Sequence, residues 1–467
     1  MIFCGGITPK FYRMFQRFFD EGLAQASFLI GCDRTRQAVV IDPRRDAAIY
    51  PAAAAPHGAT IAAAIETHVH ADFVSGAREL AAAGARVITG PDSGVAFPHE
   101  GAADGQRLQI GDLTLTFLHT PGHTLEHICI LAELPGAPPR LFTGDLLFVG
   151  GVGRPDLAGE ALTRRLAADL FDSLQRVMRL DDRTEVHPGH GAGSLCGAGI
   201  GKEPSTSIAR ERRQNAMLQY DTKDALVGAV LGDLPPTPPY FARMKRINAD
   251  GPALLSSLRN PAKLPAIAPA AVAALLADGA VLIDFRTVQD FGAGHPSGAL
   301  NIGFGSKIGY WAGWVVPPDV PIVLLSEDPS QLAEAATQLF RVGLDRVEGA
   351  LAGGFEAWSR AGLPIESIEQ IAAAELRDAV KAGEPMQLLD VRSPKEYADG
   401  HVDGAINIPV GELASRAGEL RRDAPTAVMC EGGYRSALAA SLLQQEGFAR
   451  LANVTGGMAA FREVVTR

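Results

Sequence analysis

The sequence has few cysteines, no excess of basic residues and no long apolar run. Its five cysteines in 467 residues are odd in number and widely spread, which argues against a disulfide framework. Lys and Arg total 43 against 53 Asp and Glu, and this net charge of -10 argues against a protein that follows nucleic-acid phosphates. Apolar stretches end before about 18 residues, so no membrane span is predicted. The N-terminus also lacks the apolar centre of an export signal, and we expect a cytoplasmic protein.

Hydrophobic residues make up 47% of the chain and charged residues 21%, which is ordinary for a globular protein. The length predicts about three domains. Within a first domain assigned to 1–260, residues 1 to about 235 alternate short β-branched runs with Ala-rich helical stretches, and the β runs end at Gly, Pro, His or Asp. This pattern predicts an α/β sheet architecture with a site along one sheet edge. The Pro-rich stretch 234–240 marks the end of this block.

The remainder of the chain contains an internal repeat. The segment 281–302 aligns with 388–408, and in both copies an Asp precedes a His by 11 residues. Each copy continues with an apolar strand and a helix-like run, and closes with a Gly-Gly segment. The repeat predicts two consecutive α/β domains, at 261–365 and 366–467.

Histidines and aspartates follow several predicted strands of the first block. They are His68, His70, Asp72, His119, His123, His127, Asp145, His187 and His190. Metal binding needs imidazoles and carboxylates that converge from separate loops, and strand ends at one sheet edge can supply them. The sequence therefore predicts a metal site.

The order of these motifs resembles the signature of the metallo-β-lactamase superfamily. That resemblance implies an αββα sandwich for the first domain. The usual HxHxDH signature is present except for its last histidine, where this chain has Phe73. A phenyl ring cannot donate a lone pair to a metal, and Asp72 and His190 alone would make a poor second site. We therefore expect one metal ion rather than two.

Within that superfamily the sequence resembles the persulfide dioxygenase branch. The resemblance implies one Fe(II) held by two imidazoles and one carboxylate: His68, His123 and Asp145. That set suits non-heme iron oxygenases. His70 and Asp72 would then orient ligands or bound water, and His190 would be a pocket residue. For His127 a role in packing or capping and a role in function both stay open.

Two further residues near this site have alternative interpretations. Arg154 lies in the GxGR segment that holds the thiol carrier in persulfide dioxygenases, so it could bind an anionic group of the substrate. Alternatively, Arg154 forms an ion pair with a neighbour such as Asp156. Cys196, in a Gly-rich loop past His190, could relay sulfur or be an incidental free thiol.

The second repeat carries a cysteine between a strand and a helix, in CEGGYRSALAA from Cys430. Backbone N–H groups of the turn, the helix N-terminus and Arg435 would stabilise a thiolate that can carry a persulfide sulfur. The segment resembles the rhodanese active loop. The first repeat has Ser326 at this place and no arginine, so it is expected to be silent.

Some residues shared by the repeats are interpreted as structural. His295 occurs in the silent copy as His401 does in the active copy, so both are assigned to loop packing. Asp390 and Arg392 are assigned in the same way.

Taken together, the resemblance implies a persulfide dioxygenase fused to a degenerate and an active rhodanese domain. Such a protein oxidises the sulfane sulfur of a thiol persulfide, such as glutathione persulfide, with O2 to give sulfite and thiol. Its rhodanese interconverts persulfide, sulfite and thiosulfate through a Cys430 persulfide, in sulfide detoxification. The physiological thiol and the direction of transfer stay open.

The expected partners are small molecules and further copies of the chain, without nucleic acid or membrane. Two alternatives remain: a dinuclear zinc thioester hydrolase of the glyoxalase II kind fused to a sulfurtransferase, and a non-catalytic sulfur carrier or persulfide sensor. Met14 is an alternative to Met1 as the initiator.

Overall fold

The structure is a computed structural model that describes residues 14–232, 234 and 236–466. The question of whether Met1 is the initiator falls outside the described residues. The chain forms two compact units. The first extends to Ser257 and includes Phe340–Gly343; the second contains Leu258–Leu339 and Leu344–Arg467.

The first unit contains two six-stranded mixed sheets, each with its strands in sequence order. The strands of the first sheet are β1 (Phe15–Asp20), β2 (Gln25–Cys32), β3 (Gln37–Ile41), β4 (Thr60–Ile65), β5 (Arg86–Thr89) and β6 (Glu100–Gly101). Those of the second sheet are β7 (Arg107–Ile110), β8 (Leu113–His119), β9 (Ile128–Glu133), β10 (Arg140–Gly144), β11 (Glu185–Pro188) and β12 (Thr206–Ser207).

The main core lies between these sheets because alternate strand residues point inward. Val39 and Ile41 on β3 share one buried cluster with Leu115 and Phe117 on β8. The intervening residue of β3, Val40, packs in a separate cluster on the other face of its sheet. Strands with two apolar faces need a cover on each side, and helices supply the outer cover.

The described residues of this unit form six α-helices. They are α1 (Ile49–Ala54), α2 (Ala77–Ala82), α3 (Glu160–Val177), α4 (Ile208–Gln214), α5 (Lys223–Gly232) and α6 (Phe241–Asp250). The longest, α3, buries Leu166, Leu170, Leu174 and Val177 at helical spacing. The result is the predicted αββα sandwich, which is confirmed.

The second unit contains two five-stranded parallel sheets, in the orders β13-β18-β17-β14-β16 and β20-β24-β23-β21-β22. The strands of the first are β13 (Ala266–Ile267), β14 (Val281–Asp284), β16 (Leu300–Asn301), β17 (Ile322–Leu325) and β18 (Val347–Leu351). A short antiparallel pair is formed by β15 (His295–Pro296) and β19 (Ile365–Glu366). The second sheet contains β20 (Glu369–Ala372), β21 (Gln387–Asp390), β22 (Ile406–Asn407), β23 (Thr426–Met429) and β24 (Leu451–Thr455).

Helices connect the parallel strands of both copies, as parallel pairing requires. In the first copy they are α7 (Pro269–Ala277), α8 (Val288–Ala293), α9 (Ile308–Val315), α10 (Leu332–Arg341) and α11 (Gly354–Arg360). In the second they are α12 (Ala373–Ala382), α13 (Pro394–Ala398), α14 (Leu413–Arg416), α15 (Tyr434–Gln445) and α16 (Gly457–Val465). The two equivalent strand orders confirm the repeat as two α/β domains.

The residues that the repeats share support their loops. Asp390 lies at the end of β21 and binds the Arg392 guanidinium at 2.7 Å, with both side chains fully buried. His401 stacks on Tyr397 and hydrogen bonds to its carbonyl oxygen at 3.0 Å. His295 has the same relationship to Phe291, at 2.7 Å. These contacts confirm the structural interpretation.

No helix in the described part of the chain is both long and apolar enough to cross a bilayer.

Candidate metal centre and sulfur-transfer loop

Three loops of the first unit bring His68, His123 and Asp145 together. His68 follows β4, His123 lies between β8 and β9, and Asp145 follows β10. All three side chains are buried. Asp145 Oδ2 lies 3.8 Å from His68 Nε2 and 3.5 Å from His123 Nε2. Their donor atoms all lie within 4.8 Å of one another, which is close enough to hold a single metal ion.

The same three atoms are unsatisfied. Among the described residues, His68 Nε2, His123 Nε2 and Asp145 Oδ2 are buried and have no hydrogen-bond partner. Leaving a buried polar atom unpaired costs about 1–3 kcal/mol, so three at one point need an explanation. A divalent cation satisfies all three. The residues therefore fit a metal ion, and a set of two imidazoles and one carboxylate suits iron or zinc.

Neighbouring groups aim both imidazoles at this point. The Thr67 hydroxyl donates to Asp42 Oδ2 at 2.9 Å, so it accepts a hydrogen bond from His68 Nδ1, also at 2.9 Å. The carbonyl oxygen of Arg154 accepts from His123 Nδ1 at 2.7 Å. With Nδ1 protonated, each ring presents the Nε2 lone pair to the metal position. Sequence reasoning missed Asp42 and Thr67, although each follows the end of a strand.

His70 does not join this group. Its Nε2 lies 3.1 Å from Glu66 Oε2 and 3.2 Å from Asp42 Oδ1. Burial alone would lower the pKa of His70, but Asp42 and Glu66 raise it well above its ordinary value. Asp42 also accepts a hydrogen bond from Thr67, so His70 is linked to His68 through Asp42 and Thr67. Phe73 is buried with its ring centroid 4.4 Å from that of His70.

His190 connects the two aspartates. Its Nε2 lies 2.8 Å from Asp72 Oδ2 and its Nδ1 lies 2.7 Å from Asp145 Oδ1. Burial alone would lower the pKa of His190, but the charges of Asp145 and Asp72 raise it to about 10. Burial opposes ionisation of Asp145 as well, yet His190 brings the pKa of Asp145 below its usual range. His190, itself bound by Asp72, therefore holds Asp145 Oδ1 and leaves Oδ2 toward the metal position.

The remaining motif histidines have packing or backbone roles. His127 Nε2 accepts from the Asp145 backbone N–H at 3.2 Å, and its Nδ1 lies 3.0 Å from Thr120 Oγ1. Burial and then the charge of His123 lower the pKa of His127 to about 3, so the ring is neutral. His187 packs among Phe rings, and His119 Nε2 bonds to a carbonyl oxygen.

The Arg154 side chain is engaged by protein partners, and a role in substrate binding stays a prediction. Its guanidinium binds both oxygens of Asp156 at 2.7 Å, and also contacts the Leu195 carbonyl and the Thr237 hydroxyl. Only 2% of the residue is exposed. The alternative of an ion pair with Asp156 is therefore the one that the structure shows. Arg154 contributes to the site through its backbone oxygen, which holds His123.

Cys196 lies near the candidate metal centre, as the sequence predicts. It is 1% exposed, and its Sγ lies within 4.8 Å of donor atoms of both Asp72 and His190. Burial, followed by the charges of Asp72 and Asp145, raises the pKa of the Cys196 thiol well above its ordinary value. Its role as a sulfur relay stays a prediction.

The second candidate centre is the loop between β23 and α15. Cys430 Sγ accepts a hydrogen bond from the Gly433 backbone N–H at 3.1 Å and from the Ser436 hydroxyl at 3.4 Å. Gly433 has φ +98°, a conformation that L side chains rarely adopt. The loop therefore needs this glycine to aim an N–H at the sulfur, and donors of this kind stabilise a thiolate.

Arg435 forms an ion pair with Glu396, a residue that no sequence motif had indicated. Its two terminal nitrogens lie 2.7 and 2.6 Å from the Glu396 carboxylate oxygens. In the first copy, the Ser326 hydroxyl instead bonds to Gln331 and to the Asp328 carbonyl oxygen within its own loop. That hydroxyl is engaged in loop structure, in keeping with a silent domain.

Both candidate centres lie in segments of the chain that family models match. The metallo-beta-lactamase superfamily model matches residues 20–190, and the rhodanese-like domain model matches 268–361 and 372–464. A solved metallo-beta-lactamase from Staphylococcus aureus is 32% identical with a TM-score of 0.64, covering 72% of this chain and 98% of that one. The chain therefore belongs to the metallo-β-lactamase superfamily. It is a metallo-β-lactamase domain fused to two rhodanese-like domains.

Curated relatives match single parts of the chain. A hydroxyacylglutathione hydrolase from Polaromonas is 36% identical over 168 residues, which are 35% of this chain and 61% of the relative. A putative sulfur carrier protein, YrkF of Bacillus subtilis, is 36% identical over 92 residues, which are 20% of this chain and 50% of the relative. The chain thus spans between half and about three-fifths of these relatives. The boundaries 1–260, 261–365 and 366–467 stay predictions.

Proposed function

We propose that the first unit is a persulfide dioxygenase with one Fe(II) held by His68, His123 and Asp145. The observation that carries this proposal is the buried meeting of three unpaired donor atoms, two imidazole and one carboxylate. A facial set of this type leaves coordination positions open for a substrate and O2. Phe73 supports the choice because it removes the histidine on which a second metal would depend.

The overall reaction balances as R–S–SH + O2 + H2O giving R–SH and sulfurous acid, which ionises to sulfite. Bound Fe(II) would supply activation of O2 beside the terminal sulfur. The protein's part is to hold the ligand geometry. Thr67 and the Arg154 carbonyl fix the two imidazoles, while His190 and the His127 ring fix the side chain and backbone of Asp145. Burial of all three donors keeps bulk water from competing for the site.

The second function we propose is rhodanese sulfur transfer at Cys430. The Cys430 thiolate attacks the outer sulfur of thiosulfate, an S–S bond forms at the cysteine, and sulfite leaves with the electron pair of the broken bond. Gly433 N–H and Ser436 Oγ–H stabilise the thiolate before attack. The same step in reverse combines sulfite from the first domain with a persulfide sulfur.

An oxygen electrode with glutathione persulfide tests the first function, and metal analysis accompanies it on anaerobically purified protein. We expect persulfide-dependent O2 uptake that His68→Ala abolishes and Cys430→Ser retains. Cys430→Ser should instead abolish sulfur transfer from thiosulfate to a thiol. Two zinc ions per chain with no O2 uptake would overturn the proposal, and so would sulfur transfer that survives in Cys430→Ser.

A thioester hydrolase is the second candidate for the first unit. The observation in its favour is the similarity to hydroxyacylglutathione hydrolase. Hydrolysis of a glutathione thioester by zinc-loaded protein, lost in His68→Ala, would support this candidate. Persulfide oxidation without any thioester hydrolysis would exclude it.

A further inference from the structure

A short segment from the sequence of the first repeat belongs to the unit that carries the metal group. Phe340–Gly343, at the end of α10, are part of the first unit. The segment contains Arg341, of which only 7% is exposed. A buried arginine keeps its charge and therefore needs charged or polar partners. The partners of Arg341 lie in loops of the first unit that support the metal position.

The guanidinium of Arg341 binds two aspartates at once. Its Nε and one terminal nitrogen lie 3.0 and 2.9 Å from the two carboxylate oxygens of Asp46, which lies between β3 and α1. The other terminal nitrogen lies 2.9 Å from Oδ2 of Asp20, the last residue of β1. A planar guanidinium presents enough donors in a fixed arrangement to serve both carboxylates, whereas an ammonium group does not.

Asp20 extends this contact to the backbone around His190. Its Oδ1 accepts two backbone N–H groups of the turn between β1 and β2, at 2.9 and 3.1 Å. The Ala24 carbonyl oxygen, at the end of that turn, accepts from the Gly191 N–H at 2.9 Å. Gln25, the first residue of β2, forms an antiparallel β-bridge with His190. The turn that Asp20 holds therefore fixes the His190 backbone.

A backbone contact of Arg341 reaches His190 from the other side. The Arg341 carbonyl oxygen accepts from the Val74 N–H at 2.7 Å. Val74 lies two residues after Asp72, whose carboxylate binds His190 Nε2 at 2.8 Å. His190 Nδ1 lies 2.7 Å from Asp145 Oδ1. The two paths from Arg341 therefore meet at the histidine that orients the carboxylate of the metal group.

The segment itself is held by packing and by a second arginine. Gly343 has φ +68°, a conformation that L side chains rarely adopt, and a Cβ there would lie 2.9 Å from side-chain atoms of Met244 and Ile247 in α6. The Phe340 carbonyl oxygen accepts from the Arg45 guanidinium at 2.7 Å. Glycine thus lets the chain turn close to α6, and these contacts keep the segment in place.

We propose that Arg341 is a positioning residue for the metal centre. Through Asp20 and through the Val74 N–H it fixes His190, and His190 holds Asp145 with one carboxylate oxygen toward the metal position. The first repeat thereby contributes to the metal centre in a way that requires no sulfur-carrying residue. The inference concerns how the metal is held, and it does not depend on which reaction the metal supports.

Cobalt binding by the full chain tests this proposal without any turnover. Co²⁺ is titrated anaerobically into metal-free protein, and its visible absorption gives both a dissociation constant and a signature of the coordination geometry. In Arg341→Lys the backbone contact with Val74 remains, but one ammonium cannot reproduce the contacts with both aspartates. We expect the dissociation constant to rise by about 10-fold or more, and the visible bands to shift.

Arg286→Lys is the matched control. Arg286 also forms a buried ion pair, with Asp284 at 2.6 Å, but both of these residues belong to the second unit. Urea unfolding measures the loss of stability in each variant. Cobalt binding should be weaker in Arg341→Lys alone. Unchanged binding in Arg341→Lys, or an equal loss in Arg286→Lys, would show that the role of Arg341 is only structural and would overturn the proposal.

Asp20→Asn decides the matter if Arg341→Lys does not fold. The amide oxygen can still accept the N–H groups of the turn, while the contact with the guanidinium loses its charge. Weaker cobalt binding with shifted bands supports the proposal, and binding equal to that of the unaltered protein overturns it. The persulfide dioxygenase proposal is judged separately, by O2 uptake.

Discussion

The Tyr434 hydroxyl donates a hydrogen bond to the Gly303 carbonyl oxygen at 3.2 Å. Tyr434 lies between Cys430 and Arg435 in the segment that follows β23, and Gly303 belongs to the first repeat. Further along α15, Ser441 accepts from the Asn301 N–H, and Gln444 lies 3.0 Å from His295. The first repeat therefore supports the helix whose N-terminus faces the Cys430 sulfur.

Gly303→Val should reduce sulfur transfer by Cys430. A Cβ at position 303 would lie 3.3 Å from the Tyr434 ring, so a branched side chain must displace that ring and the loop with it. We expect kcat/KM for thiosulfate to fall by about 10- to 100-fold, because small displacements of reacting groups are costly. Gly305→Val is the matched control, since a Cβ there meets nothing within 4 Å. Equal activity in the two variants would contradict the supporting role.

Asp42→Asn should weaken metal binding by His68, His123 and Asp145. Asp42 accepts from both the backbone N–H and the hydroxyl of Thr67, at 2.7 and 2.9 Å. An amide nitrogen in place of the second oxygen cannot accept the hydroxyl proton, so Thr67 loses its fixed orientation toward His68. We expect metal affinity to fall by about 10- to 100-fold, measured by competition with a chelator. Asp112→Asn, at an exposed ion pair with Arg34, should leave affinity unchanged.

Arg154→Lys should lower stability more than it changes substrate binding. One ammonium cannot reproduce the bidentate contact with Asp156 together with the contacts to Leu195 and Thr237. We expect the free energy of unfolding to fall by about 1–3 kcal/mol, measured with urea. If Arg154 bound the substrate instead, KM would rise with no change in stability.

The Glu396–Arg435 pair should stabilise the folded protein at neutral pH and lose this effect at acid pH. The hydrogen bond from Arg435 lowers the pKa of Glu396 from 4.5 to about 2, against the effect of partial burial. Because the folded-state pKa is depressed, this stabilisation is complete above about pH 4.5 and is lost as pH falls toward 2. Glu396→Gln should remove it.

Urea unfolding of both proteins from pH 7 to pH 2 measures the difference. The stability gap should be constant at the upper end and close below pH 4.5. A gap that does not change with pH would show that the carboxylate charge is unimportant. At pH 5 Glu396 is still ionised and paired with Arg435, so the wild type should retain sulfur transfer.

The motifs predicted much of the candidate site because each motif is local. His68, His123, Asp145 and Cys430 all follow or precede a strand end, and parallel or neighbouring strands bring such ends to one edge. The roles of His127 and Arg154 could not be chosen in this way. Each had two chemically reasonable roles, and only the packed loops show which neighbours lie within hydrogen-bonding distance.

The sequence by itself predicted an α/β block with a site at one sheet edge and the duplicated α/β domains, through short apolar runs and the internal repeat. The αββα sandwich, the donors His68, His123 and Asp145 and the role of Cys430 were implied by the resemblance of its motifs to known families. Tertiary structure alone decided that His70 turns to Asp42 and Glu66, and that Cys196 lies beside Asp72. Those positions depend on how loops distant in sequence approach one another, and backbone contacts such as the Arg154 N–H to the Cys196 carbonyl fix that approach.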